Sequence, residues 1–415
     1  MDLFEKLLQN RGPLGKFSSQ AHGYYTFPKL EGEIGSRMKF RGKEKIIWSL
    51  NNYLGLANHP EVRKADADAA AQYGLAYPMG ARMMSGNTDE HERLERELSQ
   101  FVGKQDTILF NYGYQGIMSS IDALVDRRDV IVYDAESHAC IIDGVRLHMG
   151  KRLVFQHNDI ESCEKMLKKA TDMVAESGGA ILVITEGVFG MAGDQGKLKE
   201  IIELKNKYQF RLLVDDAHGF GTLGKTGAGA GEEQGVQDGI DIYFSTFAKS
   251  MASIGGFISS DEQVVEYLRY NNRSQIFAKA MPMPLVIGNL KRLELLRSKP
   301  ELKDKLWYNT NKLQTGLRER GFNIGRSNTC VTPVYLNGNT NEAANLIMDI
   351  RENYNIFLSI VVYPVVPKGV MMLRLIPTAV HTDADIDATL QCFTEVADKL
   401  QKGIYQQTKL VTIPL

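Results

Sequence analysis

Lys249 stands in a run of small and hydroxyl-bearing residues, Ser245-Thr246-Phe247-Ala248-Lys249-Ser250, beyond an apolar stretch that reads as a strand. Upstream, a second apolar stretch (211–214) ends in Asp215-Asp216-Ala217-His218. Ligands in α/β sheets collect beyond the carboxyl ends of strands. An amine and a carboxylate delivered from two such ends are what pyridoxal 5′-phosphate requires of a protein. The Lys249 amine would condense with the aldehyde as a Schiff base. The Asp215 carboxylate would keep the pyridine nitrogen protonated, so that the ring withdraws electrons. An aromatic lid is offered by His138 in Glu136-Ser137-His138-Ala139-Cys140. Phosphate donors are offered by the turn Asn111-Tyr112-Gly113-Tyr114-Gln115, which follows a strand and opens a helix, aiming backbone N–H groups at an anion. Thr246 adds a hydroxyl. Taken singly, each residue has a plain structural reading: aspartates cap, a lone histidine packs, a lysine among small residues lies at the surface. Their combination is much more specific.

A second motif competes by its letters. Gly219–Thr226 reads Gly-Phe-Gly-Thr-Leu-Gly-Lys-Thr, a match to the nucleotide P-loop pattern. A P-loop follows its strand directly and runs directly into a helix. Here Asp-Asp-Ala-His intervenes, and the glycine-rich Gly-Ala-Gly-Ala-Gly that follows is a poor helix start. Nucleotide binding is rejected on that context.

The elements that must position these residues are legible in outline. Strand-like runs at 106–110, 130–133, 180–185, 211–214 and 240–245 alternate with helical patterns such as 161–176 and 198–208. Continuous apolar strands alternating with helices predict an α/β fold around a buried, mostly parallel sheet. Beyond Pro284 a long helical region (285–320) leads to strands near 331–336 and 371–376 and a final helix over 383–401. The expected organisation is an N-terminal helix and arm (1–50), a large cofactor-binding domain (51–290), a smaller C-terminal α+β domain (291–403) and a tail (404–415).

Composition narrows the class. The 49 Lys and Arg nearly balance the 50 Asp and Glu, which gives no reason to expect nucleic acid as a partner. The four cysteines, Cys140, Cys163, Cys330 and Cys392, are dispersed without metal-ligand spacing, as in a reducing compartment. The N-terminus is amphipathic and unlike a signal peptide, and no apolar run is long enough to span a bilayer. A cytoplasmic enzyme is expected.

At this level of detail the chain resembles the α-oxoamine synthases, pyridoxal enzymes of fold type I with an aspartate aminotransferase-like fold. The resemblance covers about residues 51–401. It rests on Asn51-Asn-Tyr-Leu-Gly-Leu, Gly80-Ala-Arg-Met-Met-Ser-Gly-Asn-Thr, Ser137-His-Ala, Thr185-Glu-Gly-Val-Phe-Gly-Met-Ala-Gly-Asp, Asp215-Asp-Ala-His-Gly, Thr246-Phe-Ala-Lys and Leu373-Arg-Leu-Ile-Pro-Thr-Ala-Val-His-Thr. It also accounts for the P-loop-like segment, since family members carry a glycine-rich turn after Asp-Asp-Ala-His. The resemblance implies a homodimer with sites between subunits and a decarboxylative condensation of an amino acid with an acyl thioester. It implies that His218 bonds the cofactor's phenolic oxygen, that Glu186 and Asn51 lie near the site, and that Arg374 takes the substrate carboxylate with its bidentate fork. Lys249, once freed, would act as general base at the substrate Cα. Three departures, Ala81, Gly190 and Ala248, stand where relatives often carry serine, or serine or glycine before the lysine.

Around Ser274 and 277–281 the chain is similar to bacterial serine palmitoyltransferases, with Lys279 where those enzymes place a small residue. A buried ammonium is costly alone but acceptable when paired with a permanent anion. Cysteate carries a sulfonate and serine does not. The departure resembles the cysteate acyltransferases of sulfonolipid (capnine) synthesis, so cysteate is expected, giving 3-ketocapnine. Serine (giving 3-ketosphinganine), glycine or alanine, or a non-catalytic partner subunit, are the alternatives. The acyl donor is acyl carrier protein or coenzyme A, with carrier protein favoured by resemblance. Arg269, Arg273 and Lys279 are candidates for a basic patch that an acidic carrier would meet. An amphiphilic product would suit loose association with the inner membrane face.

Overall fold

Runs such as Ile181–Glu186, apolar without alternation, are the mark of a strand covered on both faces, and all six of its residues are buried. In the computed structural model, which describes residues 1–15, 18–363, 365–366 and 369–407, this strand lies inside a seven-stranded sheet. The order is Asp106–Phe110, Gly256–Ser260, Ile242–Thr246, Arg211–Asp215, Ile181–Glu186, Val130–Asp134, Lys151–Phe155. The pairings are parallel except that Gly256–Ser260 runs antiparallel to both of its neighbours. Register pairs Glu186 with Asp215 and Asp215 with Phe244, which lines up their carboxyl ends. The helices Gly113–Leu124 and Ala139–Leu147 bury Ile117, Ile121, Ile141 and Val145 against the sheet residues Ile108, Ile131, Ile184 and Leu213.

The chain divides into two compact units, Asn51–Lys305 and a second formed by Met1–Leu50 with Leu306–Leu415. This differs from the expected division at 290, and the N-terminal arm is no separate element. The helix Met283–Ser298 packs on Pro60–Tyr73, which carries the first unit past residue 290. In the second unit the arm supplies strands Leu30–Glu31, Arg37–Phe40 and Lys43–Ile47, and Ile356–Phe357 pairs in parallel with the last of these. A three-stranded antiparallel sheet follows the order Thr332–Tyr335, Met372–Leu375, Ser359–Val361. Trp48 is fully buried in the core of this unit. Its ring stacks on His381 at 4.0 Å and its Nε1 donates to Thr389 at 3.0 Å. The expected tail begins as a short helix, Ile404–Gln407, and residues 408–415 lie outside the described residues. No helix among the described residues is long and apolar enough to cross a membrane.

Candidate active site

The carboxyl end of Arg211–Asp215 places Asp215 in the protein interior, 4% exposed, where one carboxylate oxygen accepts from Ala217 N–H at 3.0 Å. The other lies 3.8 Å from the Cys140 sulfur. Glu186 ends the adjoining strand, and one of its oxygens accepts the His138 N–H at 2.5 Å. Burial, then the charge of Asp215 beside it, pushes the Glu186 carboxyl well above the ordinary carboxylate range. The shift favours the neutral form of Glu186, which pairs in register with Asp215 at the sheet end.

His138 caps the helix Ala139–Leu147, its Nδ1 accepting the Cys140 N–H at 3.3 Å with the Cys140 sulfur 2.8 Å away. With Nδ1 accepting, the ring proton sits on Nε2. Burial lowers the His138 pKa, Asp215 opposes that shift and the Lys249 ammonium adds to it. Lys249 is half-buried, and its charge also acts on Glu186 and Cys140. Lys249, Asp215, Glu186 and His138 therefore interact as one electrostatic group.

His218 follows Asp215 in the same turn, and its Nδ1 lies 2.7 Å from the hydroxyl of the buried Tyr53. When Tyr53 donates, the His218 proton is fixed on Nε2 and can be given to an acceptor. A Cβ at residue 190 would come within 2.1 Å of that Nε2. The departure to Gly190 is explained: glycine leaves the imidazole its place.

The phosphate end has a comparable signature. A Cβ on Gly113 would stand 2.8 Å from Thr246 Oγ1 and 2.9 Å from its Cβ, so only glycine lets the first turn of Gly113–Leu124 approach Thr246. First-turn N–H groups have no acceptor inside their own helix, and the dipole there favours an anion. Tyr114 joins this turn through its backbone, while its side chain bonds Asp143 and its ring meets His138 edge-on at 6.2 Å. An amine, a buried carboxylate, two imidazoles and a glycine-opened anion cradle fit pyridoxal 5′-phosphate.

The P-loop-like segment is occupied by its own chain. Thr226 N–H and Ala228 N–H both donate to Glu232, at 3.1 and 3.0 Å, and Gly224 N–H donates to Glu233 at 2.9 Å. Carboxylates already fill the place a phosphate would take.

Asn51 is half-buried at the start of this unit, and its neighbour Asn52 is buried, accepting the Ala57 N–H at 3.1 Å. Arg374 is half-buried in the strand Met372–Leu375 of the second unit. Lys279 is exposed; its carbonyl accepts from Asn111 Nδ2 at 2.5 Å, which sets it beside the phosphate turn. Arg273 is exposed, but Arg269 does not belong to a basic patch. Its guanidinium is held by Asp106 at 2.6 Å and by the Thr107 carbonyl at 2.9 Å, with Glu95 at 3.5 Å. Tyr53 and Cys140 were not anticipated as functional. Tyr53 was visible only as part of the Asn51-Asn-Tyr motif, and nothing in the spacing linked Cys140 to Asp215.

Comparison with known proteins agrees with this geometry. Residues 43–393 match the family described as aminotransferase class I and II. The chain is 64% identical, over 98% of its length and 96% of the relative's, to the cysteate-C-fatty acyltransferase of Capnocytophaga ochracea. It is 35% identical, over 90% of its length and 92% of the relative's, to the serine palmitoyltransferase of Sphingobacterium spiritivorum. The solved serine palmitoyltransferase from S. paucimobilis, a lysine-to-alanine variant with bound PLP–myriocin, superposes with a TM-score of 0.89 at 28% identity, covering 97% of this chain and all of that one. The fold is pyridoxal fold type I, and the chain belongs to the class I and II aminotransferase family and, within it, to the α-oxoamine synthases, pyridoxal 5′-phosphate-dependent acyltransferases.

Proposed function

We propose that the protein condenses cysteate with a long-chain acyl thioester, delivered on acyl carrier protein, and releases the free carrier thiol and carbon dioxide to give the sulfonolipid base 3-ketocapnine. The observation that carries the choice of amino acid is the 64% identity, end to end, with a cysteate-C-fatty acyltransferase, against 35% with a serine palmitoyltransferase. When bound, pyridoxal 5′-phosphate supplies an electron sink that stabilises negative charge at the substrate Cα.

The chain's own residues do the rest. Asp215 holds a proton at the pyridine nitrogen. His138 covers one face of the ring, and His218 donates from Nε2 to the phenolic oxygen, its tautomer set by Tyr53. The first turn at Gly113 and Tyr114 grips the phosphate, and the Thr246 hydroxyl, which donates to the Gly255 carbonyl at 2.7 Å, would turn to join it. Arg374 would take the substrate carboxylate with its guanidinium fork, and the Lys249 amine would remove the proton from the substrate Cα. Lys279 pairs with the sulfonate. In a homodimer it would serve the site together with the partner subunit; its ammonium is exposed in the single chain, so the pairing does not rest on a buried charge, and its carbonyl meets Asn111 beside the phosphate turn. Arg273 and Lys279 face an acidic carrier protein, with Arg269 left out because Asp106 holds it. A cytoplasmic location suits both substrates.

The test is a titration of the holoenzyme with each amino acid, following the cofactor's visible absorbance. Cysteate is expected to shift the spectrum at lower concentration than serine, glycine or alanine. A response to serine with none to cysteate would overturn the reading in favour of a serine palmitoyltransferase.

A further inference from the structure

His157, just beyond the strand Lys151–Phe155, has a carboxylate at each ring nitrogen. Nδ1 lies 3.0 Å from Asp134 and Nε2 lies 2.9 Å from Asp194. Asp134 ends the strand that leads to His138, and its carboxylate also accepts the N–H groups of Glu136 at 2.8 Å and Asn158 at 3.0 Å. Asp194 belongs to the loop that leaves Glu186 and carries Gly190 past His218. There the Asp194 carbonyl accepts the Phe189 N–H at 2.9 Å, and the Phe189 ring meets His157 edge-on at 4.4 Å. Asn158 reinforces the same junction, donating to Asp194 at 3.1 Å and to the Gln195 carbonyl at 3.0 Å.

We propose that His157, as an imidazolium clamped between Asp134 and Asp194, is a positioning residue that locks together the loop bearing His138 and the loop bearing Gly190. A neutral imidazole has one donor and one acceptor, so it would turn a lone pair towards one of the two carboxylates. The imidazolium donates to both, and two charge-assisted hydrogen bonds then add to the links already made between these elements by Asn158 and by His138 N–H on Glu186. The titratable groups facing the ring are Asp134, Asp194 and, at 3.9 Å, Glu136. Against the opposing penalty of burial, Asp134 and Asp194 raise the His157 pKa to about 10. The lid His138 and the donor His218 thus share one remote support. The link to the cofactor rests on the roles assigned to those two histidines.

The test uses holoenzyme labelled with nitrogen-15 at histidine. At about pH 8, where an ordinary histidine is neutral, His157 is expected to show both ring nitrogens protonated, its signal identified by its loss in His157→Gln or its shift in Asp194→Asn. A neutral His157 under those conditions overturns the proposal. His157→Gln is expected to weaken pyridoxal 5′-phosphate binding by about tenfold or more, the scale of one lost charge-assisted hydrogen bond. His157→Lys, which keeps a cation between the carboxylates, should recover most of that loss. Equal loss in both variants, or loss in neither, contradicts a charge clamp. If His157→Gln does not fold, Asp194→Asn is expected to weaken cofactor binding in the same direction, and unchanged binding there contradicts the proposal. Borohydride labelling of Lys249 tests the cofactor assignment separately, so its failure is distinguishable from failure of the clamp.

Discussion

Asp215 and Asp216 are neighbours in sequence, both buried, and they do different work. Asp215 faces Cys140 and the Lys249 side of the sheet end. Asp216 points away, where one oxygen accepts the Ala230 N–H at 2.8 Å and the Tyr243 hydroxyl at 3.1 Å. Glycines 187, 219 and 229 crowd round it, and a Cβ on any of them would come within 2.0 Å of its carboxylate oxygens. Burial raises the Asp216 pKa to about 7. Successive residues at a strand end point to opposite faces, so one aspartate reaches the chemistry and the next pins the glycine-rich loop. Of the glycines that imitate a P-loop, Gly219 makes room for Asp216, Gly221 for Ser250 and Gly224 for Glu232.

The sharpest break between the two faces comes from their variants. Lys249→Ala is expected to reduce condensation turnover by about a thousandfold or more, the scale of a lost general base, measured as product formed per enzyme. Asp215→Asn should reduce kcat by about a hundredfold, given up to ~3 kcal/mol for a charge-assisted hydrogen bond. Gly113→Ala, which drives a Cβ into Thr246, should weaken cofactor binding by about tenfold, the scale of local overpacking, read by equilibrium dialysis. Lys279→Ala should raise the KM for cysteate about fivefold, as expected for a partly exposed ion pair, with serine unaffected. Asp216→Asn is the smallest perturbation, with kcat expected within about threefold of the parent. Its signature is in stability. A carboxyl whose pKa rises on folding destabilises the native state progressively as pH climbs from its unfolded value near 4 to its folded value of about 7. The parent should therefore lose urea stability relative to Asp216→Asn between about pH 4 and pH 7; a constant difference would contradict that assignment.

Much of the site was legible because its residues sit at the ends of strongly apolar strands. The expected strands at 180–185 and 211–214 became Ile181–Glu186 and Arg211–Asp215, close enough to place Glu186 and Asp215. Two strands of the sheet went unseen. Lys151–Phe155 is an edge strand with both faces mixed, and Gly256–Ser260 is short and rich in glycine and serine. The helical region 285–320 divides into Met283–Ser298 and Glu301–Glu319, with Pro300 at the break. The expected helix 198–208 ends as Leu198–Glu203 and a 3-10 turn, Leu204–Asn206. The second unit was least legible. Its sheet pairs Lys43–Ile47 with Ile356–Phe357, and local patterning carries no record of a partner so distant in the chain. The same holds for Tyr53 against His218 and for His157 between Asp134 and Asp194. These contacts depend on register between strands, which periodicity within one segment cannot report.

The central claim is that the Asp215 face, through Lys249, holds the reacting cofactor. Reducing the holoenzyme with borohydride and mapping the modified peptide by mass spectrometry tests it most directly. The phosphopyridoxyl group is expected on Lys249 alone, with labelling retained in Asp216→Asn. Labelling at another lysine, or none in a protein that binds the cofactor, would contradict the account.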